Sequence, residues 1–328
     1  MSHNEGIQLV DLDEGGVDNA FREDVLAGMS QTVKALPARW LYDDAGSQLF
    51  EDITQVSEYY PTRCETEILE SRGAEFARSI GTGRAVVEFG SGSSVKTPLL
   101  LKAIDPGAYV PLDIAGDFLR AAAAELSGKF PGLPVYPVEA DFMKRVELPE
   151  EVKSMPKLGF FPGSTIGNMV PRTSVDLLRS MRATLGENAK LLIGMDLIKD
   201  TAVLEAAYDD NAGVTAQFNL NLLHRINREL DGTIPVKKFH HEARWNDTFA
   251  RIEMHAVADT NMQFSIAGRP FTMQAGETIH TENSHKFDAR SSNTLLLAGH
   301  WTPRARWTDA KGLFSVILAE ATIPRAAP

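Results

Sequence analysis

Two glycines and three carboxylates carry the first chemical signal. In "VVEFGSGSSVKT", Val86 to Thr97, the phosphate-loop frame G-x-x-x-x-G-K-[ST] would run from Gly90 to Lys96 and Thr97, but Val95 stands where its second glycine belongs. The dinucleotide frame G-x-G-x-x-G keeps Gly90 and Gly92 and again meets Val95. A β-branched residue there argues against nucleotide hydrolysis, because the phosphate loop needs glycine's freedom. It weakens a nicotinamide site without excluding it, since the third glycine lets helix and strand pack closely beside a pyrophosphate. S-adenosylmethionine has no pyrophosphate. Its amino-acid part and sulfonium need only pass close to the backbone, and the E-x-G-x-G run from Glu88 through Gly90 to Gly92 allows that. Asp113, 21 positions after Gly92, is spaced to bind both ribose hydroxyls. In "EADF", Asp141 can accept from the adenine amine while Phe142 packs on the ring. Lys96, one turn into the following helix, is in reach of the cofactor carboxylate.

These residues need a sheet to bring them together, and the sequence supplies one. "RAVVEFG", "AYVPLDI", "LPVYPVEADF", "KLGFFPGSTIGN" and "AKLLIGMDLI" read as strands. Between them "SSVKTPLLLKAI", with Pro98 tolerable only in its first turn, "GDFLRAAAAELSGKF" and "SVDLLRSMRATLG" read as helices. Alternation over about 140 residues predicts a doubly wound, mostly parallel α/β sheet. Upstream, Phe21, Val25, Met29 and Val33 mark one face of a helix beginning at Asp18. A second helix is expected to open at Thr62, whose spacing to Glu65 is that of a capping box, and to run to Gly81.

After Asp200 the alternation stops. Two helical tracts follow, the second with Val214, Phe218, Leu222 and Ile226 on one face. "RIEMHAVA" and "MQFSIAGRPFTM" read as antiparallel strands, the latter folded at Ala267-Gly268. "NTLLLAGHW" and "LFSVILAEA", separated by "TPRARWTDAKG", read as a closing antiparallel hairpin of the kind that ends methyltransferase sheets. The expected organisation is a tail over 1–17, a second α+β domain from 18–61 plus 200–286 for substrate, and a Rossmann-like sheet domain from 62–199 plus 287–328 for cofactor.

Composition narrows the partners. Lys plus Arg 33 against Asp plus Glu 44 gives a net charge of −11, the wrong sign for a nucleic-acid footprint. The polar, acidic start reads as neither signal nor transit peptide, and no apolar run approaches the ~18 residues of a membrane helix. One cysteine, Cys64, excludes an internal disulfide and reads as a small buried filler. His240 and His241 point to opposite faces of a strand and read as surface residues, so no metal is expected. A monomer in the cytoplasm working on a small molecule fits all of this.

At a finer grain, "PARWLYDDAGSQLFEDIT", "SEYYPTRCETEIL", "VEFGSGSSVKT", "FFPGSTIGNM", "AYDDNAGVTAQFNLNLLHRINREL", "RIEM" and "TENSHKF" occur in order from about Leu36 towards the C-terminus. Together they resemble the ergothioneine-pathway L-histidine Nα-methyltransferases, the hercynine synthases. "EYYPTR…E", "GSTIGN" and the tract from Tyr208 to Leu230 are far more specific than the glycine loop. The resemblance implies a class I methyltransferase sheet with a family-specific second domain, and transfer of three methyl groups from S-adenosylmethionine to the α-amine of L-histidine through its mono- and dimethyl forms.

It also implies substrate contacts at Tyr42, Tyr59, Gly163, Asn168, Tyr208, Met254, Glu282 and Ser284, with Tyr42 and Asn168 the catalytic candidates. Cofactor contacts fall on Gly90, Lys96, Asp113, Asp141 and Phe142, within the set already drawn from Glu88 and the glycine loop. Such an enzyme mainly positions an unprotonated amine. Tyr42 and Tyr59 would meet the growing ammonium charge by cation–π attraction. Asn168 and Tyr208 would donate to the substrate carboxylate, and Glu282 with Ser284, two apart on an extended segment, would grip the imidazole. Asp44 beside Asp43 and His285 before Lys286 are the visible departures, and neither removes a matched contact. The alternatives are the same chemistry on another amino acid such as a tryptophan derivative, a non-catalytic sensor, and more remotely a nicotinamide dehydrogenase.

Overall fold

The computed structural model describes residues 18–92, 96–114 and 116–322. The expected tail over 1–17 and the diagnostic Val95 lie outside the described residues. In chain order the first elements are α1 (Asn19–Met29), β1 (Lys34–Ala35), α2 (Asp44–Gln55), α3 (Tyr60–Ser71) and α4 (Gly73–Ile80). The alternating region follows as β2 (Ala85–Phe89), α5 (Thr97–Ile104), β3 (Ala108–Asp113), α6 (Gly116–Lys129), β4 (Val138–Glu139), α7 (Glu150–Lys153), β5 (Lys157–Phe161), α8 (Pro171–Leu185) and β6 (Lys190–Asp196). Then come α9 (Thr201–Tyr208), α10 (Val214–Glu229), β7 (Phe239–Asn246), β8 (Arg251–Ala258), β9 (Met262–Ile266), β10 (Arg269–Met273) and β11 (Thr278–His285). The chain closes with α11 (Ala289–Ala298), β12 (Trp301–Thr308) and β13 (Phe314–Ala321).

These elements fall into two compact units. The seven-stranded unit takes Pro61–Ile198 and the chain from Lys286 onward. Its sheet has the order β12-β13-β6-β5-β2-β3-β4, parallel from β6 to β4 and antiparallel over β12, β13 and β6. Every residue of β2 is buried, as expected of a parallel strand covered on both faces. Val87, Val110, Leu177, Met181, Leu191, Ile193 and Trp301 lie in its core. Helix α5 carries Pro98 in its first turn, where no N–H is missed.

The four-stranded unit takes the chain up to Tyr60 together with Lys199–His285. Its main sheet has the order β1-β11-β8-β7, beside a β9–β10 hairpin that turns at Ala267 and Gly268. Helix α1 starts where Asp18 accepts from the amides of Ala20 and Phe21, at 2.9 and 3.2 Å. Phe21, Val25 and Met29 are buried, but Val33 lies beyond the helix and is exposed.

Three expectations about elements need correction, and one helix was not anticipated. Helix α3 begins at Tyr60, so Thr62 is no cap, and the Glu65 carboxylate is spent elsewhere. The strand expected over 133–142 shrinks to two residues, because Pro134 and Pro137 lack the N–H groups a ladder needs. Helix α2 was not anticipated although Leu49, Phe50 and Ile53 fall on one face of it, and it opens where Asp43 accepts from Gly46 N at 2.8 Å. Finally, "NTLLLA" is the second half of helix α11, nucleated by a capping box between Asp288 and Ser291. The closing hairpin is therefore β12 and β13, and "TPRARWT", taken for part of its connector, belongs to its first strand.

Candidate active site

In the seven-stranded unit the turn after β2 is built for close approach. Gly90 and Gly92 have φ of +73° and +35°. The amides of Gly90 and Ser91 both donate to Leu112 O, at 2.9 and 3.1 Å, which ties the turn to the end of β3. Gly92 N donates to the Asp113 carboxylate at 3.2 Å. A Cβ on Gly90 would stand 3.5 Å from the Phe142 ring, whereas one on Gly92 would face open space. Gly90, Gly92, Asp113 and Phe142 thus come together as expected from strand ends. Asp141 is exposed and its Oδ1 accepts from Met143 N at 2.9 Å, closing its own turn.

Glu88 is fully buried at the base of this turn. Its Oε2 accepts from Thr97 Oγ1 at 2.7 Å and from the Tyr109 hydroxyl at 2.6 Å. Its Oε1 is buried without a hydrogen-bond partner, as is Ser91 Oγ. Burial pushes the Glu88 carboxyl up to about 7, against the opposing pull of the Tyr109 and Thr97 hydrogen bonds. Buried acceptors with open valence beside a glycine turn suit a ligand that brings N–H donors and positive charge, and S-adenosylmethionine carries both. Lys96 reaches Glu65 Oε2 at 2.6 Å.

The "PGSTIGN" segment follows β5. Gly163 has φ +81°, and Ser164, a non-glycine residue, has φ +57°. Asp196 N donates to Ser164 Oγ at 2.9 Å, which holds that strained residue in place. Gly163 N donates to Glu65 Oε2 at 2.8 Å. Asn168 ends the single 3-10 turn that follows and is half-buried.

In the four-stranded unit six other substrate candidates gather around β11. Tyr42, set by a 3-10 turn over Ala38–Leu41, packs edge-on against Phe50 of α2 and Phe218 of α10, with ring centroids 5.6 and 5.3 Å apart. Tyr59 meets Tyr208 at 6.1 Å and Phe50 at 6.3 Å, both edge-on. Tyr208 is hydrogen-bonded to Ser284 Oγ at 2.7 Å. Met254 of β8 stands opposite Glu282 of β11 in register. Tyr42, although 38% exposed as a residue, hydrogen-bonds Glu282, and its phenol is raised above the usual tyrosine range by desolvation first and then by the Glu282 charge. Tyr42, Tyr59, Tyr208, Glu282 and Ser284 therefore form a phenol-rich cage around a buried carboxylate.

Behind the cage lies a polar hub that sequence reasoning missed. Asn219 of α10, fully buried, donates to the His255 carbonyl at 3.0 Å and to His241 Nδ1 at 2.8 Å, and accepts from Thr281 Oγ1 at 2.6 Å. His241 Nε2 in turn donates to Tyr208 O at 2.7 Å. His241 is buried rather than superficial, and only His240 is exposed, paired with Asp259 at 2.6 Å. The signal was a lone asparagine in the apolar stripe of α10. Glu65, also missed, sits in the specific "EYYPTR…E" tract. Cys64 is buried, and its thiol is pushed up to about 12 by burial and by Asp309, so it is no nucleophile.

Among the described residues Glu253, His255 and His280 bring metal-ligand atoms within 4.8 Å of one another. Their valences are largely spent: Glu253 is held by Arg251 at 2.5 Å, and His280 Nε2 donates to Glu282 O at 3.0 Å.

A parallel sheet with an antiparallel hairpin at one edge, a glycine turn after β2 and a carboxylate ending the neighbouring strand define the S-adenosylmethionine-dependent methyltransferase class. Residues 21–321 match the family described as "Histidine-specific methyltransferase, SAM-dependent", and the chain belongs to that family. A relative named Histidine N-alpha-methyltransferase from Mycobacterium tuberculosis is 40% identical over 307 residues, covering 92% of this chain and 94% of its own. The protein of the same name from Mycolicibacterium smegmatis is 39% identical, with the same coverage. Ergothioneine biosynthesis protein 1 of Neurospora crassa is 35% identical over 84% of this chain and 32% of its own.

Proposed function

We propose that the protein transfers methyl groups from S-adenosylmethionine to the α-amino group of L-histidine, three in succession, yielding hercynine for ergothioneine biosynthesis. The observation that carries this reading is the Glu282 carboxylate inside a cage of Tyr42, Tyr59, Tyr208 and Ser284. A buried carboxylate favours a guest with a ring N–H to donate over an apolar side chain, which brings it no hydrogen bond in place of water. The phenol rings favour an amine that gains permanent positive charge with each transfer. Ser284, bonded to Tyr208, is assigned to the imidazole with Glu282, and Tyr208 to the substrate carboxylate. Met254, the register partner of Glu282, and Gly163 and Asn168 are assigned to the substrate on the family pattern, with Tyr42 and Asn168 as catalytic candidates.

The cofactor supplies an electrophilic methyl group on a sulfonium. An unprotonated amine nitrogen would accept that methyl group, with the thioether as leaving group. This chain's own residues orient the amine and shield it from water. On the cofactor side Glu88, Gly90, Gly92, Lys96, Asp113, Asp141 and Phe142 are assigned. In support of Glu88, its open oxygen suits the methionyl ammonium.

Two domains, one for substrate and one for cofactor, are part of the same reading. So are a monomeric state, a cytoplasmic location and no role for nucleic acid or membrane. In support, the chain is acidic and no helix among the described residues is long and apolar enough to cross a membrane. Incubation with S-adenosylmethionine and an equimolar panel of amino acids, read by mass spectrometry, should show histidine gaining one, two and three methyl groups. Methylation of a tryptophan derivative in place of histidine would reject the substrate, and cofactor binding without any product would reject catalysis.

A further inference from the structure

The geometry points to Glu65 as a positioning residue that fixes Lys96 of the cofactor loop and the Gly163 amide of the substrate loop on one carboxylate oxygen. This inference rests on the proposed function for the identity of the two ligands, but the contacts themselves lie wholly within the seven-stranded unit. Glu65 is 1% exposed on α3. Its Oε2 takes Lys96 Nζ at 2.6 Å and Gly163 N at 2.8 Å. The two donors are neighbours across that oxygen, since a Cβ on Gly163 would stand 3.7 Å from Lys96 Nζ.

The rest of the fold makes room for this carboxylate. Gly194 of β6 has no side chain where Glu65 lies: a Cβ there would come 2.1 Å from Glu65 Oε1. Oε1 is buried and has no hydrogen-bond partner. A helix-surface glutamate that served packing alone would have no reason to bury an unsatisfied oxygen against a core strand, because that placement costs free energy. The arrangement makes sense if Oε2 must reach a defined point beneath both loops. A fully buried carboxylate also neutralises the Lys96 ammonium, whose side chain is only 12% exposed. The lysine can then stay in one rotamer, with its charge held at a fixed point beside the glycine turn, rather than being ordered when the cofactor arrives.

Calorimetry with S-adenosylhomocysteine tests this without turnover. Glu65→Gln keeps an oxygen for the Gly163 amide but removes the charge that holds Lys96. The variant is expected to bind S-adenosylhomocysteine about tenfold or more weakly, the usual scale for a lost charge-assisted hydrogen bond. Its histidine affinity should stay within about twofold of wild type, one hydrogen bond of similar strength being retained. Glu65→Ala removes both partners and should weaken both ligands. Adding Lys96→Met to Glu65→Gln should cost no more than Lys96→Met by itself, because the glutamate acts through the lysine. Unchanged S-adenosylhomocysteine affinity in a folded Glu65→Gln protein, or additive losses in the double variant, would overturn the inference. Wild type that binds S-adenosylhomocysteine but not histidine would reject the proposed substrate and leave the Glu65 and Lys96 arms intact.

Discussion

The two units bury titratable groups of opposite kind. Beneath the glycine turn of the seven-stranded unit, Glu88 is buried among hydroxyls and pushed up to about 7. In the main sheet of the four-stranded unit, His255 is buried beside His280 and pushed down to about 4, by burial first and then by the His280 and Arg244 charges. Glu88 keeps an open oxygen. His255, by contrast, is closed off, its ring stacked on His280 at 4.8 Å and its nitrogens facing Thr278 and Glu253 at 3.2 and 3.3 Å. The open oxygen of Glu88 is what the proposed cofactor site would use, whereas His255, in the strand paired with the one that carries Glu282, has its hydrogen-bonding capacity taken up. Buried ionisable groups therefore mark function only when some of their hydrogen-bonding capacity is left unused.

The largest expected effect tests where substrate selection resides. Glu282→Ala should lower kcat/KM for histidine by about a hundredfold, the order expected when a buried charged partner is lost. S-adenosylhomocysteine affinity should stay within about twofold, since a change that adds no strain leaves a separate site nearly untouched. Comparable losses in both measurements would erase the distinction between a substrate cage in one unit and a cofactor turn in the other.

The second prediction uses pH. His255 lies below its ordinary value of 6.5, so its contribution to stability is full above pH 6.5 and drains away as pH falls towards 4. Glu88 lies above its ordinary value of 4.5, so its contribution is full below pH 4.5 and is lost as pH rises through 7. Each swing is on the order of 3 kcal/mol, from a shift of about 2.5 pH units. Hydrogen exchange resolved by mass spectrometry should show β8 and β11 losing protection below pH 6.5, and β2 and β3 losing it between pH 4.5 and 7. His255→Gln should flatten the first response and Glu88→Gln the second. Protection that moves in the same direction in both sheets would contradict the comparison.

How much was legible in the sequence follows the same divide. The parallel strands of the seven-stranded unit are continuous apolar runs punctuated by glycines, so β2, β3, β5 and β6 and the carboxylates at their ends could be read directly. The cage could not be read that way. Its members come from the end of a 3-10 turn, the residue before α3, the end of α9 and β11, joined by strand register and helix packing rather than by spacing. Tyr42, Tyr59, Tyr208 and Glu282 were reachable only through the resemblance of whole tracts to a family. Helix α11 was misread because three leucines in a row look like strand until the Asp288 and Ser291 cap is counted. Asn219 and Glu65 escaped for a shared reason: each is a polar residue whose partners lie far off in the chain, so no local pattern announces it.

A third change probes the turn itself. Gly90→Ala places a side chain at φ +73°, which costs roughly 1–2 kcal/mol for an L-residue. The new Cβ would meet Phe142 at ordinary contact distance, so the cost is in the backbone. S-adenosylhomocysteine affinity should drop about tenfold, by the conversion of 1.4 kcal/mol per factor of ten, with histidine affinity unaffected. An undiminished cofactor affinity would remove the positive φ of Gly90 from the account of this site.

The smallest expected effect separates two roles of Tyr208. Its hydroxyl bonds Ser284 Oγ at 2.7 Å, while its ring stands edge-on to Tyr59 at 6.1 Å. Tyr208→Phe deletes only the hydroxyl and leaves Ser284 short of one partner, which should lower kcat/KM for histidine by about fivefold, the equivalent of roughly 1 kcal/mol. Tyr208→Leu removes the π face as well. If the cage works through cation–π attraction, the added loss should grow from histidine to its dimethyl form, because the charge of the bound amine becomes fixed as methyls accumulate. Mass spectrometry of partial reactions would then show the Leu variant stalling with mono- and dimethylhistidine while the Phe variant proceeds slowly to the trimethyl product. If both variants give the same product distribution, the rings merely fill space, and the cage acts on histidine through Glu282 and its hydroxyl partners.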